Sequence, residues 1–220
     1  MDLNYSVVLA RLPLLLVGAV MTIEFAVLSL ILGTVFGIIA GLMRISKNPV
    51  LSRIAFLYVW IIRGTPLLVQ LYLLYFGLPQ IGLKLEPWTA GVLGMGFNTG
   101  AYISEVVRSG ILAIDKGQME AGLSLGMTPW LVMRRIIAPQ AARISIPPMV
   151  NQFIITLKNS SLVSLLTITE LMRTGEQIIQ THFRSFEVYT VVAVIYLAMN
   201  SVLMVVAHRL ERGLSQNDQA

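Results

Sequence analysis

Four ionisable side chains interrupt otherwise apolar stretches of this sequence: Glu24, Arg63, Glu105 and Lys158. A charge at the centre of a membrane costs about 2.5–3.5 kcal/mol on insertion scales, so such residues are paired, face water or mark a pathway. Glu105 and Arg108 stand three apart on one helical face, and the spacing predicts a local ion pair. Arg63 opens the run Arg63-Gly64-Thr65-Pro66. Pro66 has no N–H for the helical ladder, which leaves carbonyls near Ile62 and Gly64 for protein or water to satisfy. A broken helix carrying a charge is a recurrent way to build a polar cavity at the midplane. Lys158-Asn159-Ser160-Ser161 sets four polar side chains in a row, covering more than one face of a helix. Such a row either lines a pathway or acts as glue between helices.

Other chemistry is excluded. There are no cysteines, hence no disulfide, zinc-thiolate or thiol chemistry. The only histidines, His182 and His208, belong to no His-Glu-x-x-His pattern and are read as solvated or interfacial side chains. No Gly-x-x-x-x-Gly-Lys-Ser/Thr phosphate loop occurs, so ATP-driven motion must reach this chain through a partner.

The elements that must position these residues are membrane helices. The composition is 56% hydrophobic and 12% charged, with a mean hydropathy of +0.77 over 220 residues. A soluble domain has roughly a quarter of its residues charged. A net charge of +5 calls for no nucleic acid when the basic residues flank apolar spans. Asp2 and the length of the first apolar run argue against a cleavable signal. About five spans are predicted, near 12–42, 54–79, 87–114, 144–168 and 188–207, within a single transmembrane domain covering 1–220. Glu24 falls within the first, Arg63 midway along the second, Glu105 towards the cytoplasmic end of the third and Lys158 near the middle of the fourth. With the N-terminus outside, the cytoplasmic segments hold Arg44, Lys47, Arg53, Arg108, Lys116, Arg134, Arg135, Arg143, Arg209 and Arg212. The outer segments hold only Arg11, Lys84, Arg173 and Arg184, so the N-terminus is placed outside and the C-terminus in the cytoplasm. Gly33, Gly37 and Gly41 recur every fourth residue and form a groove for close packing of another helix.

Residues 115–143 are polar, mixed in charge and cytoplasmic on this orientation. They read as two short helices with a sharp joint: Gly126 ends the first, Thr128 caps the second and Pro129 opens it. The second shows Leu131, Ile136 and Ile137 among Arg134 and Arg135 and is expected to stop before Pro139. Such an amphipathic helix either docks in a groove on a soluble partner or lies on the lipid headgroups.

Glu120-Ala121-Gly122, then Gly126, then Ile136 and Pro139 resembles the Glu-Ala-Ala loop of ABC importer membrane subunits, with Gly122 for the second alanine and Ala138 for the usual leucine. Arg63-Gly64-Thr65-Pro66-Leu67, Gln70, Gly77-Leu78-Pro79, Asn98-Thr99 with Ala101-Tyr102, Pro139-Gln140-Ala141 and Lys158-Asn159-Ser160-Ser161-Leu162 are similar to the polar amino acid uptake branch. The resemblance implies an all-α, type I importer permease of the bacterial cytoplasmic (inner) membrane, without catalysis of its own and working by alternating access. It implies pairing with a second copy or a paralogous permease, two ABC ATPases that bind the ATP and Mg, and an extracytoplasmic solute-binding protein. Glu120, Ala121, Gly122, Gly126, Thr128 and Pro129 would form the ATPase-coupling loop. Asn98, Lys158, Asn159, Ser160 and Ser161, with Arg63 and Gln70 behind them, would contact the amino acid. Many relatives carry an acid where this chain has Asn159, so a neutral or acidic amino acid (glutamine, glutamate, aspartate or cystine) is expected over a cationic one. A secondary transporter would show an internal repeat and more spans. A membrane scaffold would leave the loop and the polar row without a role.

Overall fold

A computed structural model describes the backbone of residues 3–216 and the side chains through Ala207, with that of Arg209. Asp2 and the side chains of His208 and Arg212, used in the sequence reading, lie outside the described residues. Every regular element among them is helical. A short α1 (Ser6–Ala10) leads into α2 (Leu12–Arg44), whose Pro13 sits in the first turn, where a missing N–H is no loss. Asn48 caps α3 (Pro49–Gly64) by accepting from the Val50 N–H at 2.9 Å. At Thr65-Pro66 the chain turns by 106° into α4 (Leu67–Tyr72), which continues through a π turn (Leu73–Gly77) and a 3-10 turn to Ile81. The break falls at the proline that the sequence marks, with Thr65 extended as the residue before a proline must be.

The long α5 (Pro87–Leu112) packs along α2. A Cβ at Gly33 would lie 2.8 Å from Thr99, at Gly37 2.5 Å from Ile103 and at Gly41 2.9 Å from Val107. The four-residue glycine spacing therefore seats α5 directly on the α2 backbone, as expected. Next come α6 (Lys116–Ser124) and α7 (Pro129–Val132), then α8 (Ala138–Asn159), α9 (Leu171–His182) and α10 (Ser185–Gln216).

The expected stop before Pro139 does not occur. A π turn over Met133–Ile137 joins α7 to α8, the Ala138 N–H reaching back five residues to the Met133 carbonyl. The widened turn absorbs the missing donor at Pro139, and the Gln140 amide donates to the Ile136 carbonyl at 2.9 Å. The helix then also runs through Pro147 and Pro148. At its other end α8 stops at Asn159 and Ser160–Leu166 continues as a 3-10 stretch, so the polar row straddles a change of helix type rather than lying on one helix.

By length and composition α2 and Ser185–Ala207 of α10 can each cross a membrane, and the bent α3–α4 pair can form a third crossing. α5 and α8, the expected third and fourth spans, each bury a set of polar residues: Asn98, Thr99 and Ser104 on one, Ser145, Gln152 and Thr156 on the other. The Thr99 and Thr156 hydroxyls meet at 3.1 Å. Two apolar clusters of buried residues make up the core. Phe25, Leu71, Met95, Val163 and Leu166 form one, with Trp88 edge-on to Phe25 at 5.1 Å. Leu15, Leu171, Val188 and Val192 centre the other.

Candidate functional site

The break in α3–α4 is closed by a side chain. The Gln70 amide nitrogen lies 2.7 Å from the Ile62 carbonyl, 2.8 Å from Thr65 Oγ1 and 3.1 Å from the Thr65 carbonyl. Two protons are thus shared among three acceptors, one of them the carbonyl that Pro66 frees. Gln70 Oε1 in turn accepts from Asn98 Nδ2 at 3.1 Å, and both side chains are buried. Gln70 therefore spends its polar atoms on the backbone of the bend and on Asn98.

Arg63, the last charge before the bend, stands apart from that chain. Its guanidinium stacks on the Tyr102 ring at 5.2 Å and lines a hollow of about 320 Å³ with Arg44, Phe56, Trp60 and Glu105. Glu105 holds two arginines: Arg108 at 3.0 Å, as its spacing predicts, and Arg44 from α2 at 2.5 Å. The Arg44 contact was not legible in the sequence, because it depends on how far α5 slides along α2. Glu24 is exposed on the middle of α2, with no ion pair among the described residues. His182 is half-buried at the end of α9, beside a hollow that Arg11 also lines.

The polar row divides by depth. Ser160 is fully buried and donates to the Leu157 carbonyl at 2.7 Å, while Ser161, half-buried, donates to the Lys158 carbonyl at 2.8 Å. Asn159 is half-buried and Lys158 exposed. The Thr99–Thr156 contact lies within two residues of both Asn98 and Lys158, which brings the two candidate substrate segments onto adjacent helices. Behind the row sits an acid the sequence reading passed over. Glu170 is fully buried and accepts from the N–H groups of Met172 and Arg173 and from the Tyr196 hydroxyl, while the single proton of the Thr22 hydroxyl is shared between Glu170 at 3.3 Å and the Gly18 carbonyl at 3.0 Å. An acid immediately before the amphipathic 171–182 stretch is a capping signal that could have found it.

The 115–143 loop takes the expected two-helix form. Asp115 caps α6 through the Gly117 N–H at 2.6 Å. At its far end the Gly126 N–H donates to the Leu123 carbonyl at 2.9 Å and the Met127 N–H to the Gly122 carbonyl at 3.1 Å, with Gly126 at φ +77°. That pair of bonds is the Schellman stop, which needs a left-handed residue where Gly126 stands. Thr128 Oγ1 accepts from the Leu131 N–H at 3.3 Å and Pro129 is the first helical residue, as expected. Gly122 is buried because Val132 packs on it: a Cβ there would lie 2.7 Å from the valine side chain. The apolar residues named for docking, Leu131, Ile136 and Ile137, face inward to varying degrees. The apolar surface offered outward is instead Leu125, 82% exposed, and Trp130, 72% exposed, beside exposed Glu120 and Ala121. Apolar groups held out on a short rigid element suit a protein partner.

The comparisons with known proteins agree with this arrangement. Residues 33–216 match the family described as binding-protein-dependent transport system inner membrane component. The chain is 41% identical over 214 residues to the glutamine transport system permease protein of Escherichia coli, covering 96% of this chain and 98% of that one. It is 39% identical to the L-cystine transport system permease protein of Bacillus subtilis (93% and 88% covered), and 35% identical to the arginine transport system permease protein of the same organism (99% and 100%). The crystal structure of an amino acid ABC transporter with histidines contains a chain that superposes with a TM-score of 0.92 at 38% identity, covering 96% of this chain and 99% of that one. The inward-facing methionine ABC transporter MetNI shares the fold, with a TM-score of 0.79 at 20% identity, over 93% and 98% of the two chains. The chain belongs to the binding-protein-dependent transport system inner membrane component family, as a non-catalytic amino acid ABC importer permease subunit.

Proposed function

We propose that this permease carries a neutral or acidic polar amino acid, glutamine foremost, and that Asn98 and the Lys158–Ser161 row form its half of the substrate site. The observation that carries the reading is Lys158: an exposed ammonium with no carboxylate partner among the described residues, followed by the uncharged amide of Asn159. A cation beside an amide attracts a substrate carboxylate and offers a side-chain amide both donors and acceptors. A half-buried row headed by an exposed lysine is what half a site would present to a second copy or a paralogous permease across a shared pathway. Arg63 and Gln70 act behind it, the first on the pathway wall and the second as the brace of the bend.

In the assembled importer five crossings carry the chain through the membrane, with the N-terminus outside and residues 115–143 in the cytoplasm. Two ATPase subunits bind ATP and Mg and receive the knob made by Glu120, Ala121, Leu125 and Trp130. Their closure moves α6 and α7 as one piece, because the Schellman stop and the Val132–Gly122 contact tie the two together. Substrate is released because the inward and outward states bind it unequally. An extracytoplasmic binding protein delivers it.

The test is competition for uptake in cells expressing the complete importer. Excess unlabelled glutamine, glutamate or cystine should suppress uptake of labelled glutamine, and arginine, lysine or histidine should not. Asn159→Asp should shift preference towards the cationic amino acids. Arginine outcompeting glutamine in the parent, or an unchanged preference in Asn159→Asp, would remove the basis for this reading.

A further inference from the structure

Arginines converge on open space where α3 lies against α5. Phe56, Trp60 and Arg63 stand at i, i+4 and i+7 on α3, and Asn98, Tyr102 and Glu105 repeat that spacing on α5. Residues so spaced share one face of a helix. The two faces meet, since the Arg63 guanidinium lies 5.2 Å from the centre of the Tyr102 ring. Between them is the hollow of about 320 Å³, lined by Phe56, Trp60, Arg63 and Glu105 and closed by Arg44 from α2. Asn98, at the far end of the α5 face, belongs to the candidate substrate site. Asn98 and Glu105 are about 10 Å apart along the helix at 1.5 Å per residue, in the direction of residues 115–143.

The charges around this hollow do not balance. Glu105 accepts from Arg44 at Oε1 and from Arg108 at Oε2, so both its oxygens are in use. Arg44 also rests over the Phe56 ring, 5.5 Å from its centre. Arg63 is exposed and has neither an ion pair nor a hydrogen bond among the described residues. Three arginines against one acid leave an excess of positive charge, and Arg63 is where it is free to act. A guanidinium held against a ring keeps its fork of N–H groups for a carboxylate, which it can bind through two parallel bonds. Exposed Phe56 and Trp60 supply apolar surface beside it.

We infer that this hollow is a second station for the substrate on its way to the cytoplasm. The α-carboxylate leaves Lys158 for Arg63, and the carbon chain lies along Trp60. The inference deepens the reading of the substrate site above and takes from it that the amino acid passes Asn98. Release from a single strong cation into water would be one large step. A second cation farther along the pathway divides it, as successive weak sites do in conduction.

The experiment titrates the complete importer, in detergent and without nucleotide, with glutamine. It follows the part of the tryptophan fluorescence change that disappears in Trp60→Phe. That part isolates the hollow, because Trp88 packs in the Phe25 cluster and Trp130 stands on the 115–143 loop. The change should saturate in the parent. Arg63→Gln should weaken it about tenfold or more, the loss expected for hydrogen bonds to a charged group, and should slow uptake. Since Arg63 holds no hydrogen bond within the described chain, its replacement strands no partner. Glutamine stripped of its α-amino group should give the same change, and the amine left when glutamine loses its carboxylate should give none. Parental affinity in Arg63→Gln, an equal response to that amine, or no change tied to Trp60 would overturn the assignment. A response to added phosphatidylglycerol or inorganic phosphate that glutamine does not displace would make this a lipid or phosphate site and overturn it too. Binding lost in Arg63→Gln with uptake at the parental rate would overturn the exit role. Lys158→Ala tests the row separately: it should lower uptake and leave this titration intact. Unchanged uptake in that variant, with the titration intact, would retire Lys158 and leave the Arg63 station standing.

Discussion

The α6–α7 joint and the α3–α4 bend are both sharp turns between helices, held by opposite means. At the joint the bonds that stop α6 and start α7 span five residues or fewer: Gly126 to Leu123, Met127 to Gly122, Leu131 to Thr128. At the bend the carbonyls freed by Pro66 are taken by Gln70, and Gln70 is itself held by Asn98, 28 residues away on α5. The joint is a local device that water can also help to satisfy. The bend is completed only when α5 is in place, because in the membrane no water stands in for a missing partner. A change at the joint should therefore spare the fold and hit coupling, and a change at the bend should hit the fold first.

The largest effect is expected from Gly126→Asp. A Cβ at this position meets nothing within 4 Å, so the cost to folding is the left-handed backbone alone, about 1–2 kcal/mol. The new carboxylate, however, lands beside exposed Leu125 and Trp130, on the surface proposed to meet the ATPase. Uptake should be abolished, together with stimulation of ATP hydrolysis by loaded binding protein, while the permease still inserts and purifies. Normal uptake by this variant would break the comparison at its first term.

Gln70→Leu probes the other side. Leucine matches the volume but leaves the half-buried Ile62 carbonyl without its donor, at about 1–3 kcal/mol, and strips the Asn98 amide of its acceptor. Thermal unfolding in detergent should show a clear loss of stability, with uptake falling in proportion to the folded protein that remains. Unchanged stability would mean that the bend is not held by Gln70, and the contrast with the joint would dissolve.

The same contrast decides what the sequence disclosed. Gly126, Thr128 and Pro129 act on neighbours in the chain, so their types and order announce the joint. Pro66 announces a break for the same reason, and Gly33, Gly37 and Gly41 a packing face. The identity of the partner in each long-range contact was not announced: Gln70 on Ile62, Arg44 on Glu105, Tyr196 on Glu170. These depend on how the helices lie beside one another, which residue types alone do not specify. Pro139 misled in the opposite direction, because a π turn let the helix continue past it. The inward face of Leu131, Ile136 and Ile137 was readable as apolar but not as already occupied, since its occupant is α6, the adjoining helix.

The smallest effect, and the finest test of the joint, is Gly122→Ala. It restores the alanine that the related Glu-Ala-Ala loops carry at this place, and in an isolated helix alanine would be favoured over glycine by about 1 kcal/mol. Here its Cβ would lie 2.7 Å from Val132, a stiff and fully buried β-branched side chain that cannot swing aside. Overpacking of this kind costs about 1–3 kcal/mol, so the net change should be a modest loss of thermal stability. In a Val132→Ala background the obstruction is gone and the sign should reverse, Gly122→Ala then stabilising the protein. A double-mutant cycle measured by thermal unfolding reads the difference directly, since residues in contact couple by about 0.5–3 kcal/mol. Additive effects in that cycle would show that α6 is not seated on α7 through Gly122, and that the two helices do not move as one piece.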